Sequence, residues 1–147
     1  MTGLYFDSAY IAKCYLREPD APAVRALAGS GPALYVSALA MAEVSCVFHR
    51  QLREKTLTPK TAAAVRDLFL ADIEAGTWQL LPITDRLLRR VETHTRKLRA
   101  DLFLRAGDAI HIATAIDGGF QEIWTNDRHL LATAAHFGLK GRSVPSP

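Results

Sequence analysis

Between Arg105 and Asp127 the chain reads Arg-Ala-Gly-Asp-Ala-Ile-His-Ile-Ala-Thr-Ala-Ile-Asp-Gly-Gly-Phe-Gln-Glu-Ile-Trp-Thr-Asn-Asp, and no other stretch restricts the fold as much. Small and apolar residues at helical spacing follow Asp108 and stop at Gly118 and Gly119. A short apolar run over residues 122–125 comes next and leads straight into Asn126 and Asp127. Helix, tight turn and strand in such close succession belong to a parallel sheet covered by helices. Ligands of such sheets bind beyond the carboxyl ends of the strands. The unit places a carboxylate at each of its ends, Asp108 and Asp127.

The remainder of the chain repeats the alternation. Apolar runs at residues 4–6, 33–36 and 78–81 predict strands, and residues 142–144 a short edge strand. Asp7 and Ser8 open a helix that Pro19 stops, and residues 20–28 form another. Ser37 caps a helix reaching about Arg53, and Thr58 with Pro59 starts one that ends near Gly76. Thr84 caps an arginine-rich helix reaching about Ala100, and a last helix spans residues 127–137. The gaps between strands are long enough for helical crossovers. The expected fold is α/β: a three-layer α/β/α sandwich with a central, mainly parallel sheet of four to five strands, built as one domain over residues 1–147.

Composition excludes several classes. Nearly half of the residues are hydrophobic but evenly spread, and no apolar run approaches the ~20 residues of a membrane span. The first residues, Met-Thr-Gly-Leu-Tyr-Phe-Asp, carry no basic region and no long apolar segment, so no signal peptide is visible and a cytoplasmic location is expected. Cys14 and Cys46 lie in apolar helical patterns without zinc or redox spacing, which predicts two buried free thiols. A net charge of +3 permits a polyanionic partner without demanding one.

Glu43 is the most informative single residue. Leu39, Ala40, Cys46 and Val47 lie one helical turn away, so its carboxylate projects from an apolar face. A charge in that setting needs a cation, a hydrogen-bond network or a raised pKa; the bland alternative is a helix-edge Glu that reaches water. Asp7, Asp108 and Asp127 each lie at or near a helix start, where a carboxylate also serves as a cap. Asp7 and Asp127, however, both follow apolar strands, which sets them on the carboxyl edge of the sheet. Two carboxylates ~5 Å apart repel by roughly 3 kcal/mol at an effective dielectric near 20. Four in one cleft cannot all ionise without a cation, and oxygen-only ligands select Mg²⁺ or Mn²⁺ over zinc. Removing one of four mutually repelling acids, as in Glu43→Gln, should then stabilise the metal-free protein.

These residues carry a resemblance. Asp7 in Tyr-Phe-Asp-Ser-Ala, Glu43 in Ala-Met-Ala-Glu-Val, Asp108 in Gly-Asp-Ala-Ile-His-Ile-Ala-Thr-Ala and Asp127 in Ile-Trp-Thr-Asn-Asp-Arg-His-Leu fall where the four acids of a PIN-domain ribonuclease fall. The chain is most similar to the small VapC-type toxins of toxin–antitoxin pairs. The resemblance implies a divalent-metal-dependent endoribonuclease that hydrolyses RNA phosphodiesters with metal-activated water, leaving a 5′-phosphate and a 3′-hydroxyl. It implies Asp7, Glu43, Asp108 and Asp127 as catalytic metal ligands for Mg²⁺ or Mn²⁺. It also implies a homodimer and a cognate antitoxin whose C-terminal segment covers the site.

Other residues are candidates beside the acids. Ser8 and Thr125 carry hydroxyls next to Asp7 and Asp127 and could position water or substrate; otherwise Ser8 bonds a helix start and Thr125 is a β-branched strand residue. Arg86, Arg89 and Arg90 open a basic run that Arg96, Lys97, Arg99 and Arg105 continue. The run reads either as an RNA phosphate contact or as a solvated face over an inward stripe of Leu87, Leu88, Val91 and Leu98. His111, one turn after Asp108, reads as a satisfied core histidine, with a base or a partner of the acids as the alternative. Trp78 and Trp124 lie on predicted strands and read as core. No phosphate-binding Gly-x-x-x-x-Gly-Lys loop, nucleophile elbow or His-Glu-x-x-His motif occurs. A receiver domain would need adjacent acids after the first strand and a late lysine, and has neither. A PIN nuclease acting in RNA processing and a non-catalytic RNA- or partner-binding α/β module remain as alternatives.

Overall fold

The computed structural model describes residues 2–147. Its elements run β1 (Leu4–Tyr5), α1 (Ser8–Lys13), α2 (Ala21–Ala28), β2 (Leu34–Ser37), α3 (Ala40–Arg53), α4 (Pro59–Glu74), β3 (Trp78–Leu81), α5 (Asp85–Arg96), α6 (Ala106–Asp117), β4 (Glu122–Trp124), α7 (Arg128–His136) and β5 (Lys140–Arg142). All strand pairings are parallel. β1 pairs with β2 and β2 with β3, so that Leu34 lies between Leu4 and Trp78. β4 pairs with β5, with Ile123 opposite Gly141. A parallel bridge between Phe6 and Trp124 joins the two groups in the spatial order β3-β2-β1-β4-β5. The expected α/β class with a parallel sheet is observed, in two ladders of three and two strands.

Alternation along the strands builds the three layers. Leu4 and Phe6 of the first strand region, with Leu34 and Val36, face a core completed by Tyr10, Ile11, Val24, Val44, Phe48 and Phe69 from α1 to α4. Tyr5 and Tyr35 point the other way, into a core with Ile112, Ala115 and Phe120 from the α6 region and Leu130 and Ala134 from α7. α5 packs on α6. On the first face Tyr15, Phe48 and Phe69 meet edge to face, with ring centroids 5.8–6.2 Å apart, an arrangement that suits the aromatic quadrupoles.

Several boundaries differ from expectation. Ser37 ends β2 instead of capping a helix; its hydroxyl accepts the Leu39 N–H at 3.1 Å, and α3 starts at Ala40 after that turn. α1 stops at Lys13 and α5 at Arg96, each well short of the predicted end. The last strand lies at Lys140–Arg142, because Val144 leaves the sheet to enter the core, where its N–H donates to the Tyr10 hydroxyl at 2.8 Å. Leu88 is exposed, since α5 turns only Leu87 fully inward. Cys46 is exposed and Cys14 half-buried, so only Cys14 resembles the buried thiol expected; burial pushes its thiol up to about 11. Among the described residues no helix is long and apolar enough to cross a membrane.

Candidate active site

β1 delivers Asp7 to the carboxyl edge of the sheet. There its extended backbone makes it the N-cap of α1, and Oδ1 accepts the Tyr10 N–H at 2.9 Å. The other oxygen, Oδ2, accepts from the Thr125 hydroxyl. Thr125 follows β4 and is fully buried, and its hydroxyl oxygen accepts the Asp127 N–H at 3.0 Å. Asp127 caps α7: its Oδ1 accepts the N–H groups of His129 and Leu130 at 2.8 and 3.0 Å. The remaining Asp127 oxygen, Oδ2, accepts from Arg105 at 3.1 Å, and the same guanidinium donates to Asp108 Oδ2 at 3.2 Å. Asp108 lies in the first turn of α6, behind Arg105 at the N-cap position.

Glu43 joins them from the first turn of α3. Its Oε1 accepts from the Ser8 hydroxyl at 2.8 Å and lies 2.7 Å from His111 Nε2. Its Oε2 lies beside Gly107: a Cβ added there would stand 2.9 Å from that oxygen. Hydrogen bonds link Thr125 to Asp7, Ser8 to Glu43, and Arg105 to both Asp108 and Asp127, and the chain neighbours Asp7–Ser8 and Gly107–Asp108 set these links side by side. All four predicted acids are therefore brought together at one edge of the sheet.

Burial sets the electrostatics. Asp7 is almost fully buried, and that pushes its carboxyl above the usual range, although Thr125, the charge of His111 if protonated and the Tyr10 N–H oppose the rise. Asp108 is also raised, first by burial and further by the charge of Asp127, with Arg105 opposing. Glu43 goes the other way. Burial works against its ionisation, but His111, the Ser8 hydroxyl and Arg105 outweigh it and hold the carboxyl below its ordinary value. The Tyr5 phenol, buried beside His111, is raised chiefly by desolvation and keeps its proton.

The donors suit a hard divalent ion in kind, since every free atom they offer is a carboxylate oxygen. Among the described residues, however, no three Asp, Glu, His or Cys side chains stand close enough to grip an ion as placed. The cation in contact with the acids is the Arg105 guanidinium, which holds one oxygen each of Asp108 and Asp127. The residues fit a metal in kind, and gripping one would require Arg105 to yield those oxygens and the carboxylates to draw together.

The hydroxyls of Ser8 and Thr125 are both given to carboxylates, Glu43 and Asp7 respectively. Arg89 and Arg90 are paired with Asp85 and Asp117, and Arg86 is exposed; all three belong to α5, outside the acid cluster. Trp78 is core, whereas Trp124 is partly exposed and stacks under Arg142 at 6.0 Å. Sequence reasoning missed Arg105 as a partner of the acids, Gly107 as the close approach to Glu43, and Tyr5 behind His111. Only His111, one turn from Asp108 on the same helix face, carried a signal.

The sequence matches the PIN domain family over residues 4–136. The chain belongs to the PIN domain family. PIN domains are generally nucleases and generally use divalent metal ions. Among solved structures, this PIN domain is similar to VapBC2 from Rickettsia felis bound to a DNA fragment from their promoter, with a TM-score of 0.68, 13% identity, and 97% of this chain and 99% of that chain covered. It is similar to VapC20 of Mycobacterium tuberculosis, a toxin that cleaves the sarcin–ricin loop, with a TM-score of 0.66, 18% identity and coverage of 88% and 94%. FitAcB from Neisseria gonorrhoeae aligns with a TM-score of 0.69, 16% identity and coverage of 94% and 95%. At these identities the likeness is one of fold. No curated protein matches the chain by sequence.

Proposed function

We propose that this PIN domain is a divalent-metal-dependent endoribonuclease and the toxin of a toxin–antitoxin pair. The observation that carries the reading is the set of hydrogen bonds that gathers Asp7, Glu43, Asp108 and Asp127 at the carboxyl edge of a parallel sheet. Structural caps alone would not account for Glu43, whose carboxylate is tied to buried groups from two other helices.

Asp7, Glu43, Asp108 and Asp127 would hold Mg²⁺ or Mn²⁺. Such an ion offsets their charge, lowers the pKa of a water and neutralises charge on the phosphate. In the hydrolysis the water oxygen bonds to phosphorus, the P–O3′ bond breaks and O3′ leaves with a proton, giving a 5′-phosphate and a 3′-hydroxyl. Thr125 fixes Asp7 relative to Asp127, and Ser8 fixes Glu43, so both hydroxyls serve to orient acids. Arg105, displaced from the acids, is placed to meet the RNA phosphate, with Arg86, Arg89 and Arg90 of α5 as further phosphate contacts.

The antitoxin and homodimer belong to the same proposal. Solved relatives of this fold include complexes from toxin–antitoxin systems. Beside Arg105, Leu98, Leu102, Leu104 and Ala109 line an apolar groove of about 500 Å³ that suits a segment of a covering partner.

The test is cleavage of an end-labelled mixed RNA pool by the purified chain with Mn²⁺, Mg²⁺ or EDTA, beside Asp108→Asn. Cutting that needs metal and is lost in the variant is expected. RNA binding that ignores EDTA, with no scission, would make the protein a binding module instead.

A further inference from the structure

Glu43 is served by a buried hydrogen-bond chain that the proposed hydrolysis does not itself require. His111, 2% exposed, sits with Nε2 2.7 Å from Glu43 Oε1 and 3.2 Å from the Ser8 hydroxyl. Its Nδ1 lies 2.9 Å from the Tyr5 hydroxyl, and that oxygen accepts the Ser37 N–H at 3.2 Å. Tyr5, Ser37 and Ser8 are all buried.

Counting protons fixes the direction of the chain. An ionised Glu43 Oε1 only accepts, so Nε2, 2.7 Å away, carries a ring proton, while the Tyr5 oxygen accepts from Ser37 and has Nδ1 and the Thr114 hydroxyl as neighbours for its own hydrogen. In the neutral ring Nδ1 is therefore the acceptor for the Tyr5 hydroxyl, and the ring proton on Nε2 is aimed at Glu43 Oε1. Oε1 thus receives two donors, Ser8 and His111, while among the described residues Oε2 receives none and faces Gly107 at the start of α6. Nothing in the packing of an apolar core calls for this; a leucine would fill the site without a polar chain.

We infer that His111 is a positioning residue: held in one tautomer by Tyr5, it clamps Oε1 of Glu43 so that Oε2 alone is presented to the acid cluster. The inference rests on the reading of the four acids as metal ligands. Partners that orient a ligand in this way typically alter metal affinity by 10–100-fold when removed.

The experiment is Mn²⁺ titration by calorimetry on the full chain, without RNA, for wild type, Asp108→Asn, His111→Leu, His111→Gln and Tyr5→Phe. His111→Leu and Tyr5→Phe should weaken Mn²⁺ binding by about tenfold or more. His111→Gln should restore it to within a few fold, because its amide nitrogen can reach the place of Nε2. Wild-type affinity in His111→Leu, or equal weakness in the Gln and Leu variants, would overturn the clamp. If His111→Leu does not fold, Tyr5→Phe decides, since it keeps the ring and loses only the hydroxyl; unchanged affinity there overturns the proposal. Wild-type protein that binds no Mn²⁺ would instead sink the metal reading itself, and the clamp with it.

Discussion

The Thr125 hydroxyl donates to the Asp7 carboxylate across 118 positions of sequence, and both groups are buried. The bond ties the acid after β1 to the residue after β4 and orients an ionisable group whose burial raises its pKa.

Asp7→Asn should therefore abolish metal-dependent cleavage without harming the fold. Because the folded carboxyl is raised above 3.8, its ionisation costs stability above that folded value, and the cost vanishes below the unfolded one. The metal-free variant should melt at or above the wild-type temperature at pH 7, with the difference shrinking as the pH falls through the raised folded value and gone below about pH 3.8. Thermal melts at both pH values with EDTA check this. A variant that cuts RNA at the wild-type rate would refute the assignment of Asp7.

Arg105→Ala should tighten Mn²⁺ binding, by about threefold or more, because it removes a cation that competes for Asp108 and Asp127. The side chain is 61% exposed, so its two ion pairs add no more than about 1 kcal/mol to stability. Calorimetric titration gives the affinity. Weaker Mn²⁺ binding would mean that Arg105 organises the acids instead of competing for them.

Glu43→Gln reverses an expectation drawn from mutual repulsion. The folded carboxyl is held below 4.5 by His111, Ser8 and Arg105 despite its burial, so ionised Glu43 stabilises the metal-free fold. That stability is present above about pH 4.5 and is lost as the pH falls through the lower folded value. The variant should lose about 1 kcal/mol at pH 7, the small value reflecting a partly exposed side chain, and progressively less as the pH falls below about 4.5. Urea unfolding at pH 7 and at successively lower pH measures it; a stabilised variant at pH 7 would restore the repulsion argument.

Gly107→Ala should uncouple folding from activity. Its Cβ would meet Glu43 Oε2 at 2.9 Å, and the carboxylate, as a movable end, would shift. Alanine favours a helix by up to about 1 kcal/mol over glycine, which offsets the loosening of the Ser8 and His111 bonds to Glu43, so the melting temperature should change little. Cleavage should fall by about 10–100-fold through the displaced acid. Full activity would show that Glu43 tolerates the move.

The fold class was legible because it depends on local patterns: apolar runs, Thr58 and Thr84 as caps, and the Gly118–Gly119 stop. The four acids were legible because each stands beside such a landmark. What was not legible depends on partners distant in sequence. Nothing near Arg105 says that it reaches forward 22 positions to Asp127, and Tyr5 looks like any core aromatic until His111 is placed against its hydroxyl. The reversal at Glu43 has the same origin, since repulsion among acids could be guessed from their number but the two donors on Oε1 could not. Ser37 misled because a serine after an apolar run caps helices often; here β2 continues one residue further to pair with β3.

The Phe6–Trp124 bridge has a mechanical consequence. Asp7 and Glu43 come from the β1–β3 half of the molecule and Asp127 from the half built on β4 and β5, with Asp108 on α6, which packs across both sheets; at the strand level the halves meet at that bridge and the Asp7 N–H bond to the Trp124 carbonyl, 3.1 Å long. The acids straddle a seam. An ion gripped from both sides would rivet it shut, and the Asp7 amide should then exchange its hydrogen more slowly with Mn²⁺ than with EDTA. Conversely, a partner that pried the halves apart would silence the protein without touching a single carboxylate.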